Sequence, residues 1–247
     1  MKKHFPLMMV VALWSILGAA CSPASSPATS TPPPKPTQKA SSPTSSPPTA
    51  APTATSAPTA TVAPFYTEDF ANPQSGWEHY AMRDGVMDYQ DGQYRMWIKT
   101  PNVLWVEAVK MENGQPTWIE VKDAILTVDA HFQKGPDDAV FGLRCQEYVF
   151  LITPTGKFGI AHMPMGIDSL QWVGEGLQPA EAIHRGTETN HLRAECVGNA
   201  LRFSVNGQLL AEATAENRES GTVGLAAGAL QHAGADVLFD NFQVYQP

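Results

Sequence analysis

Apolar and polar residues alternate along most of the chain beyond residue 64, and this period of two is the feature that most restricts its fold. The apolar positions of one such stretch are Ala124, Leu126, Val128, Ala130 and Phe132. The pattern predicts half-buried antiparallel strands, because successive side chains of a strand point to opposite faces of a sheet. Asn206-Gly207 is the strongest hairpin signal between two such stretches. About a dozen strands in one domain predict two packed sheets, and the one helical candidate spans 179–184.

Residues 22–63 have a composition that cannot form a core. They are almost entirely Pro, Ser, Thr and Ala, and Lys35 and Lys39 are their only charged residues. Such a segment buries too little apolar surface to offset the entropy lost on ordering, so we expect a disordered, extended stalk. The chain therefore divides into a signal segment over 1–20, a linker over 21–63 and one folded domain over 64–247.

The start of the chain has the pattern of an export signal. Two lysines precede an apolar run over residues 5–17, which is too short to span a bilayer, and Cys21 follows soon after. This order is typical of bacterial lipoprotein signals, in which the cysteine becomes the lipid-modified N-terminus. It predicts an exported protein whose extracytoplasmic domain is anchored to a membrane through Cys21. Gly18 stands where such signals usually carry Leu, Val or Ile, so ordinary secretory cleavage nearby is the alternative.

The folded domain is strongly acidic. It contains all 24 acidic residues, but only 12 of the 16 basic ones, because the other four precede residue 64; its formal charge is therefore −12. Such a surface repels a phosphate backbone, so nucleic acid is disfavoured as a partner. The predicted partners are a membrane, through the N-terminal lipid, and an extracellular ligand, and a monomer is expected.

Short motifs occur in a fixed order along the domain. They are Glu68-Asp69-Phe70, Ser75-Gly76-Trp77, Asp91-Gly92-Gln93-Tyr94-Arg95, Phe141-Gly142-Leu143-Arg144-Cys145, Leu192-Arg193-Ala194-Glu195-Cys196, Val205-Asn206-Gly207 and Phe239-Asp240-Asn241-Phe242. In this order the chain resembles the concanavalin A-like, laminin-G-like jelly-roll domains of exported bacterial lipoproteins, related to those of the 3-keto-disaccharide hydrolase type. The resemblance implies an all-β, two-sheet antiparallel jelly-roll sandwich. It does not decide activity, because many members of this superfamily only bind.

Recognisable catalytic motifs are missing from the sequence. The Glu-x-Asp-x-Glu strand of glycoside hydrolases with this fold does not occur, and neither does a zinc-protease or serine-hydrolase motif. Glycoside cleavage needs two carboxylates about 5 to 10 Å apart across a cleft, and the sequence gives no evidence of such a pair. We therefore expect non-catalytic binding of a carbohydrate or glycoconjugate. A glycoside hydrolase of the 3-keto-disaccharide hydrolase type and a structural or protein-docking module are the alternatives.

One tryptophan is out of phase with the apolar side of its strand. Within residues 94–98 the apolar set occupies the even positions, which places Trp97 on the polar side. An indole that stacks on a pyranose ring, flanked by polar side chains, is a common way to hold a sugar. The candidate ligand-binding residues are Trp97, Trp105, Arg95, Lys99 and Glu107. A place in the core is the alternative for each tryptophan, and Trp77 and Trp118 are expected to be structural.

The two cysteines of the domain, Cys145 and Cys196, are each in phase with the apolar side of a strand. Both sulfurs should therefore point into the core, and an exported protein favours a disulfide between them. Two buried thiols are the alternative.

The alternation slips near the C-terminus. Residues 237 and 239 are apolar, as are residues 242 and 244, although the two pairs should point to opposite faces. An extra residue at Asp240-Asn241 would reconcile them as a β-bulge. In calcium-containing relatives of this fold an ion is held where the first and last strands meet, so the resemblance implies a structural calcium on Asp240 with Asp69 or Glu68. An Asp240 that accepts backbone hydrogen bonds at the bulge is the alternative.

Overall fold

The computed structural model describes residues 63–107, 109–112, 115–216 and 218–247, with side chains outside 107–116. The predicted signal segment, Cys21 and nearly all of the predicted linker lie outside the described residues, so that division of the chain stays a prediction. No helix in the described ranges is long and apolar enough to cross a membrane.

The described domain consists of strands and one 3-10 helix, Ile167–Ser169. The first nine strands are β1 (Tyr66–Glu68), β2 (Tyr80–Ala81), β3 (Gly85–Gln90), β4 (Gln93–Ile98), β5 (Val103–Glu107), β6 (Val109–Glu112), β7 (Gln115–Trp118), β8 (Glu120–Val121) and β9 (Ala124–Lys134). The other nine are β10 (Ala139–Cys145), β11 (Tyr148–Ile152), β12 (Lys157–His162), β13 (Gln171–Pro179), β14 (Asn190–Val197), β15 (Ala200–Val205), β16 (Gln208–Thr214), β17 (Gly221–Ala229) and β18 (Ala235–Tyr245).

Sixteen of the described strands form two antiparallel sheets. The nine-stranded sheet has the order β16-β15-β14-β9-β18-β4-β3-β2, with β1 paired to β18. The seven-stranded sheet has the order β13-β12-β11-β10-β17-β5, with β8 paired to β17, and β6 and β7 form a separate hairpin. Neighbours that are far apart in sequence, such as β9 beside β18, mark a jelly roll rather than a simple meander. The predicted all-β, two-sheet architecture is confirmed.

The first and last strands of the domain lie side by side. Tyr66 is opposite Val244, and the N–H of Phe65 donates to the carbonyl of Val244 at 2.7 Å. Further along β18, Asp236 is opposite Trp97 of β4. One strand therefore connects the N-terminal strand to the surface around Trp97.

The core lies between the two sheets and is rich in aromatic side chains. Those with almost no exposed surface are Phe70, Tyr94, Phe141, Phe150, Phe203, Phe239 and Phe242. Trp77 packs among them, as predicted for a structural residue, and its indole N–H donates to the hydroxyl of Tyr66 at 3.0 Å. Burial of one such side chain contributes about 1.5 to 3 kcal/mol, so this cluster is a major source of stability.

A disulfide joins the two sheets across the core, which confirms the predicted pairing. Cys145 ends β10, Cys196 lies on β14, and their Cα atoms are 6.8 Å apart. Just beyond both cysteines, the buried side chain of Arg218 donates to the side-chain oxygen of Gln146 at 3.0 Å and to the carbonyl of Gly198. The turn after Cys145 and the turn after Cys196 are therefore joined both by the disulfide and by the hydrogen bonds of Arg218.

The strongest hairpin signal of the sequence is confirmed. Asn206 and Gly207 have φ values of 51° and 81°, and Val205 pairs with Gln208 across them. Two consecutive residues with positive φ form the turn whose twist matches a right-handed β-hairpin, and Asn and Gly tolerate that conformation best.

The predicted bulge is also confirmed. The register of β18 on β9 shifts between Asp240 and Gln243, and Asn241 has a φ of 54°. The extra residue lets Phe239 and Phe242 both enter the core, which is the reason for the slipped alternation in the sequence.

The predicted helix over 179–184 is wrong. Pro179 is the last residue of β13, and a turn follows it. The N–H groups of Ala180 and Gly186 donate to the carbonyls of Gly156 and Pro154, at 3.0 and 2.8 Å. These bonds join the segment to the turn between β11 and β12, and the N–H of His184, which would donate to the carbonyl of Ala180 in a helix, donates instead to Oδ1 of Asn190 at 2.8 Å.

The two sheets differ in their outer faces. The seven-stranded sheet has a second apolar layer there, in which Val149 and Leu151 are fully buried and Trp172 packs against the layer. Trp172 lies over Gly159, where a Cβ atom would come within 2.8 Å of its ring. The polar outer face of the domain is therefore that of the nine-stranded sheet.

Candidate functional site

Strand β4 divides its side chains between the core and the polar outer face. Tyr94, Met96 and Ile98 are fully buried, while Trp97 is half-buried on the opposite side. Its cross-strand neighbours there are Val86 and Asp236. The predicted phase of Trp97 is thus confirmed: the indole lies outside the core, where a ligand in solvent can approach it.

Three basic groups surround the Trp97 ring. The guanidinium carbon of Arg95 lies 4.8 Å from the ring centroid, the ammonium of Lys99 4.4 Å and the ammonium of Lys134 5.5 Å. Each distance is within the range of a cation–π contact. The structure therefore brings together the predicted residues Arg95, Trp97 and Lys99, and it adds Lys134 from the end of β9. We call these four residues the Trp97 cluster.

A buried carboxylate holds the Trp97 cluster in place. Asp236 has no exposed surface, and it accepts two hydrogen bonds from Arg95, at 2.7 and 2.5 Å. These bonds raise the pKa of Arg95 above its ordinary value, against the effect of partial burial. The ammonium of Lys134 is 3.9 Å from the same carboxylate. A buried carboxylate is stable only when it is paired, so Asp236 fixes the position of Arg95.

A second carboxylate lies near the Trp97 cluster but has another partner. Asp88 is opposite Arg95 in the sheet, yet its oxygen contacts Nδ1 of His79 at 2.8 Å. Among the described residues, no carboxylate lies within ion-pair distance of the ammonium of Lys99. The contact that the described residues give the Lys99 ammonium is the one with the Trp97 ring.

The structure does not bring Trp105 to this surface. Trp105 lies on β5 and packs against the core, edge to face with Tyr80 at 4.9 Å between ring centroids. A Cβ atom on Gly85 would come within 2.4 Å of its ring, so the indole occupies the space that this glycine leaves. Glu107 ends the same strand, and its side chain lies outside the described residues.

Trp118 has an unexpected position. It was predicted to be structural, but half of its surface is exposed at the end of β7. The sequence could not show this, because Trp118 follows Pro116 and Thr117 in a hairpin that pairs with neither sheet. Its exposed indole is another aromatic surface that could contact a ligand.

The residues predicted to hold calcium lie near the junction of β1 and β18. A concavity of about 320 Å³ there is lined by Glu68, Asp69 and Asn241, with Asp240 adjacent in the chain. One oxygen of Glu68 accepts the N–H of Phe70 at 2.9 Å. Among the described residues, no group of three or more His, Cys, Asp or Glu side chains has the arrangement of a metal site. The calcium prediction is untested and stays a prediction.

Asp240 itself makes a hydrogen bond at the bulge, since it accepts the N–H of Asn241 at 2.7 Å. Burial raises the pKa of Asp240, and the negative charges of Asp129 and Asp69 raise it further. The side chain of Asn241 meanwhile donates to Asp129 at 2.9 Å. The contacts at the bulge are those of the hydrogen-bonded alternative.

Another concavity, of about 270 Å³, lies beside the disulfide. Its wall includes Arg144, Tyr148 and the glutamates Glu147, Glu216 and Glu219. Arg144 donates to the carbonyl of Gln146 at 2.7 Å, and burial lowers its pKa. The sequence did not point to this concavity, because its residues come from segments about 70 positions apart that only the fold brings together.

Comparisons with known proteins agree with the fold. No protein-family model matches the chain, and no curated protein matches its sequence. An endo-β-galactosidase from Clostridium perfringens that releases GlcNAcα1-4Gal superposes with a TM-score of 0.52 and 11% identity, over 76% of this chain and 64% of that chain. The carbohydrate-binding module CBM66 from Bacillus subtilis superposes with a TM-score of 0.46 and 14% identity, over 70% of this chain and 96% of that chain. The laminarinase catalytic domain from Thermotoga petrophila superposes with a TM-score of 0.47 and 10% identity, over 75% of this chain and 98% of that chain. The fold is therefore a two-sheet antiparallel jelly-roll sandwich, as predicted.

Proposed function

We propose that this domain binds a carbohydrate or glycoconjugate, without cleaving it, at the Trp97 cluster. The observation that carries the proposal is the position of Trp97, half-buried on the polar face of the nine-stranded sheet rather than in the core. An aromatic ring on an open sheet face, ringed by hydrogen-bond donors, is suited to the flat apolar side and the hydroxyls of a sugar. The fold it shares with a glycan-cleaving enzyme is compatible with this role, and the choice of ligand rests on the surface.

The expected affinity is modest. The site is a sheet face rather than a deep cleft, so a bound sugar keeps much of its contact with water. Few groups are immobilised on it, and we expect a dissociation constant of about 10 μM to 1 mM.

The test compares two tryptophan variants of the folded domain. Glycan binding is measured by array screening and calorimetry for the wild type, Trp97→Ala and Trp118→Ala, and unfolding in urea is measured for all three. We expect Trp97→Ala to abolish binding at a stability cost of about 1 to 2 kcal/mol, below the roughly 3 to 5 kcal/mol of a core tryptophan. Binding that survives in Trp97→Ala and is lost in Trp118→Ala would move the site to the β7 hairpin. No glycan binding in any of the three would favour a structural or docking role.

A glycoside hydrolase is the second candidate, because the concavity beside the disulfide gathers three glutamates. Acid and base roles in glycoside cleavage need two such carboxylates. One of them, Glu147, contacts Nε2 of His162 at 2.9 Å. Release of reducing sugar by the wild type and its loss in Glu147→Gln, Glu216→Gln or Glu219→Gln would support catalysis there. Unchanged glycans after prolonged incubation would support binding alone.

We also propose that the domain is exported and attached to a membrane through a lipid on Cys21. The support is the order of charge, apolar run and cysteine at the start of the chain. Cys21→Ser should release the full-length protein from the membrane fraction, because the proposed lipid is attached through the cysteine sulfur and a serine hydroxyl does not replace it. Equal membrane retention of the variant would contradict the anchor.

A further inference from the structure

The Trp97 cluster has more positive charge than a neutral sugar needs. It contains three of the 12 basic residues of an acidic domain, and all three charged groups lie within 5.5 Å of one ring centroid. Like charges repel each other when they converge, so such an arrangement is unfavourable unless negative charge compensates it.

The compensation inside the protein is incomplete. Asp236 neutralises Arg95 through two hydrogen bonds, but it lies 3.9 Å from Lys134 and makes no ion pair with Lys99. Asp88 faces Arg95 and lowers the local positive charge, but its side chain contacts His79. The ammonium group of Lys99 therefore has no carboxylate partner among the described residues, and that of Lys134 has only the distant contact with Asp236.

The positions of the cations also bear on how a ligand can approach. Arg95 lies on β4 and Lys99 directly follows that strand, so they flank Trp97 from either side in sequence, and Lys134 reaches it from β9. A neutral sugar that stacks on the indole competes with these groups for the ring and gains no ion pair from them. A sugar that carries a carboxylate, sulfate or phosphate instead gains charge-assisted hydrogen bonds from the same groups.

Resting on the proposed function, we infer that the ligand is an anionic glycan, with its acid group held by Lys99 and Lys134 beside Trp97. Arg95 is fixed by Asp236 and supports the ring rather than moving to the ligand. The acidic surface elsewhere on the domain repels such a polymer and so confines it to this face.

The test uses a glycan whose charge can be removed without changing its backbone. Binding of the domain to oligogalacturonate and to its fully methyl-esterified form is compared by calorimetry, with a heparin oligosaccharide as a sulfated probe. We expect the acidic probes to bind at least about tenfold more tightly than the ester at low salt, and this advantage to disappear near 0.5 M salt. Lys99→Gln and Lys134→Gln should each weaken binding of the acidic probes about three- to tenfold. The matched control, Lys157→Gln on the other sheet, should bind as the wild type does.

The possible outcomes separate this inference from the proposed function. Equal binding of acid and ester that Trp97→Ala abolishes would overturn the inference and leave sugar binding at Trp97 intact. Tight binding of the acidic probes that survives in both lysine variants would also overturn it. Binding to vesicles containing phosphatidylglycerol, with none to the acidic glycans, would identify a membrane contact instead and overturn it. Failure of every glycan, neutral or anionic, would overturn both the inference and the proposed function.

Discussion

Arg218 provides the sharpest test of how the domain is held together. Its side chain is 1% exposed and donates to the Gln146 side chain and to the carbonyls of Gly198 and Lys122. The Arg218→Met substitution keeps most of the apolar length of the side chain and removes its hydrogen-bond donors. It therefore measures the polar contacts with little change in packing.

The magnitude follows from which acceptors lose their partner. The carbonyl of Lys122 keeps a hydrogen bond from the Gln146 amide at 2.7 Å, so two acceptors, on Gln146 and Gly198, are left without the Arg218 donor. The Gln146 acceptor is buried, and without a partner it costs about 1 to 3 kcal/mol, whereas Gly198 is exposed and its carbonyl can accept from water; the expected loss is therefore about 2 kcal/mol. For a domain of this size that corresponds to a drop in Tm of roughly 4 to 8 °C.

The assay is urea unfolding followed by tryptophan fluorescence, with the disulfide intact. The matched control is Arg202→Met, because Arg202 pairs with Glu212 at 2.6 Å on the surface, where both side chains are about half exposed. That variant should lose less than about 0.5 kcal/mol. A loss below about 1 kcal/mol for Arg218→Met, or equal losses for the two variants, would refute the view that buried hydrogen bonds at Arg218 hold these turns.

Three further predictions concern the disulfide, the bulge and a loop carboxylate. The double variant Cys145→Ala/Cys196→Ala opens a loop with a sequence separation of 51 and should lose about 4 kcal/mol of stability; detection of two free thiols in the unfolded, unreduced wild type would contradict the bond itself. Burial raises the pKa of Asp240, and the nearby charges of Asp129 and Asp69 raise it further, so the ionised carboxylate at neutral pH disfavours the folded state. Asp240→Asn should therefore be at least as stable as the wild type at neutral pH without calcium. If calcium binds there, millimolar calcium should raise the Tm of the wild type by several degrees and not that of the variant; no rise in either would leave the hydrogen-bonded bulge as the full account. Burial opposes ionisation of Asp138, but hydrogen bonds from the His232 ring and from two backbone N–H groups outweigh burial and lower the pKa of Asp138. The ionised carboxylate therefore stabilises the fold at neutral pH, and this stabilisation is lost as pH falls below the ordinary carboxyl range. Asp138→Asn should therefore show a weaker loss of stability in acid unfolding, and identical acid profiles would count against this.

The features that follow from local pattern could be predicted from the sequence. Asn206-Gly207 dictates its hairpin because few other residues adopt two successive positive φ values. The slipped alternation around Asp240 gave the bulge, and the phase of Cys145 and Cys196 gave the disulfide, because both depend only on which side of a strand a residue lies.

The features that depend on contacts between distant strands could not be predicted. Trp105 points inward because Gly85, on the other sheet, leaves room for its ring. Lys134 and Asp236 join Trp97 only because β9 and β18 become neighbours of β4, and Arg218 gave no sign of burial in its polar segment. Strand order and packing between sheets decide these positions, and a period of two carries no information about either.

The pairing of β1 with β18 has a mechanical consequence. If the chain is held to a surface at its N-terminus while a glycan is held at Trp97, tension passes through β1, β18 and β4, three adjacent strands of one sheet. The N-terminal end of β1 lies beside Val244, whereas Trp97 lies beside Asp236, about 25 Å away along β18. The pull therefore runs along the strands and loads the hydrogen bonds between them in shear, all at once, instead of peeling them apart one by one.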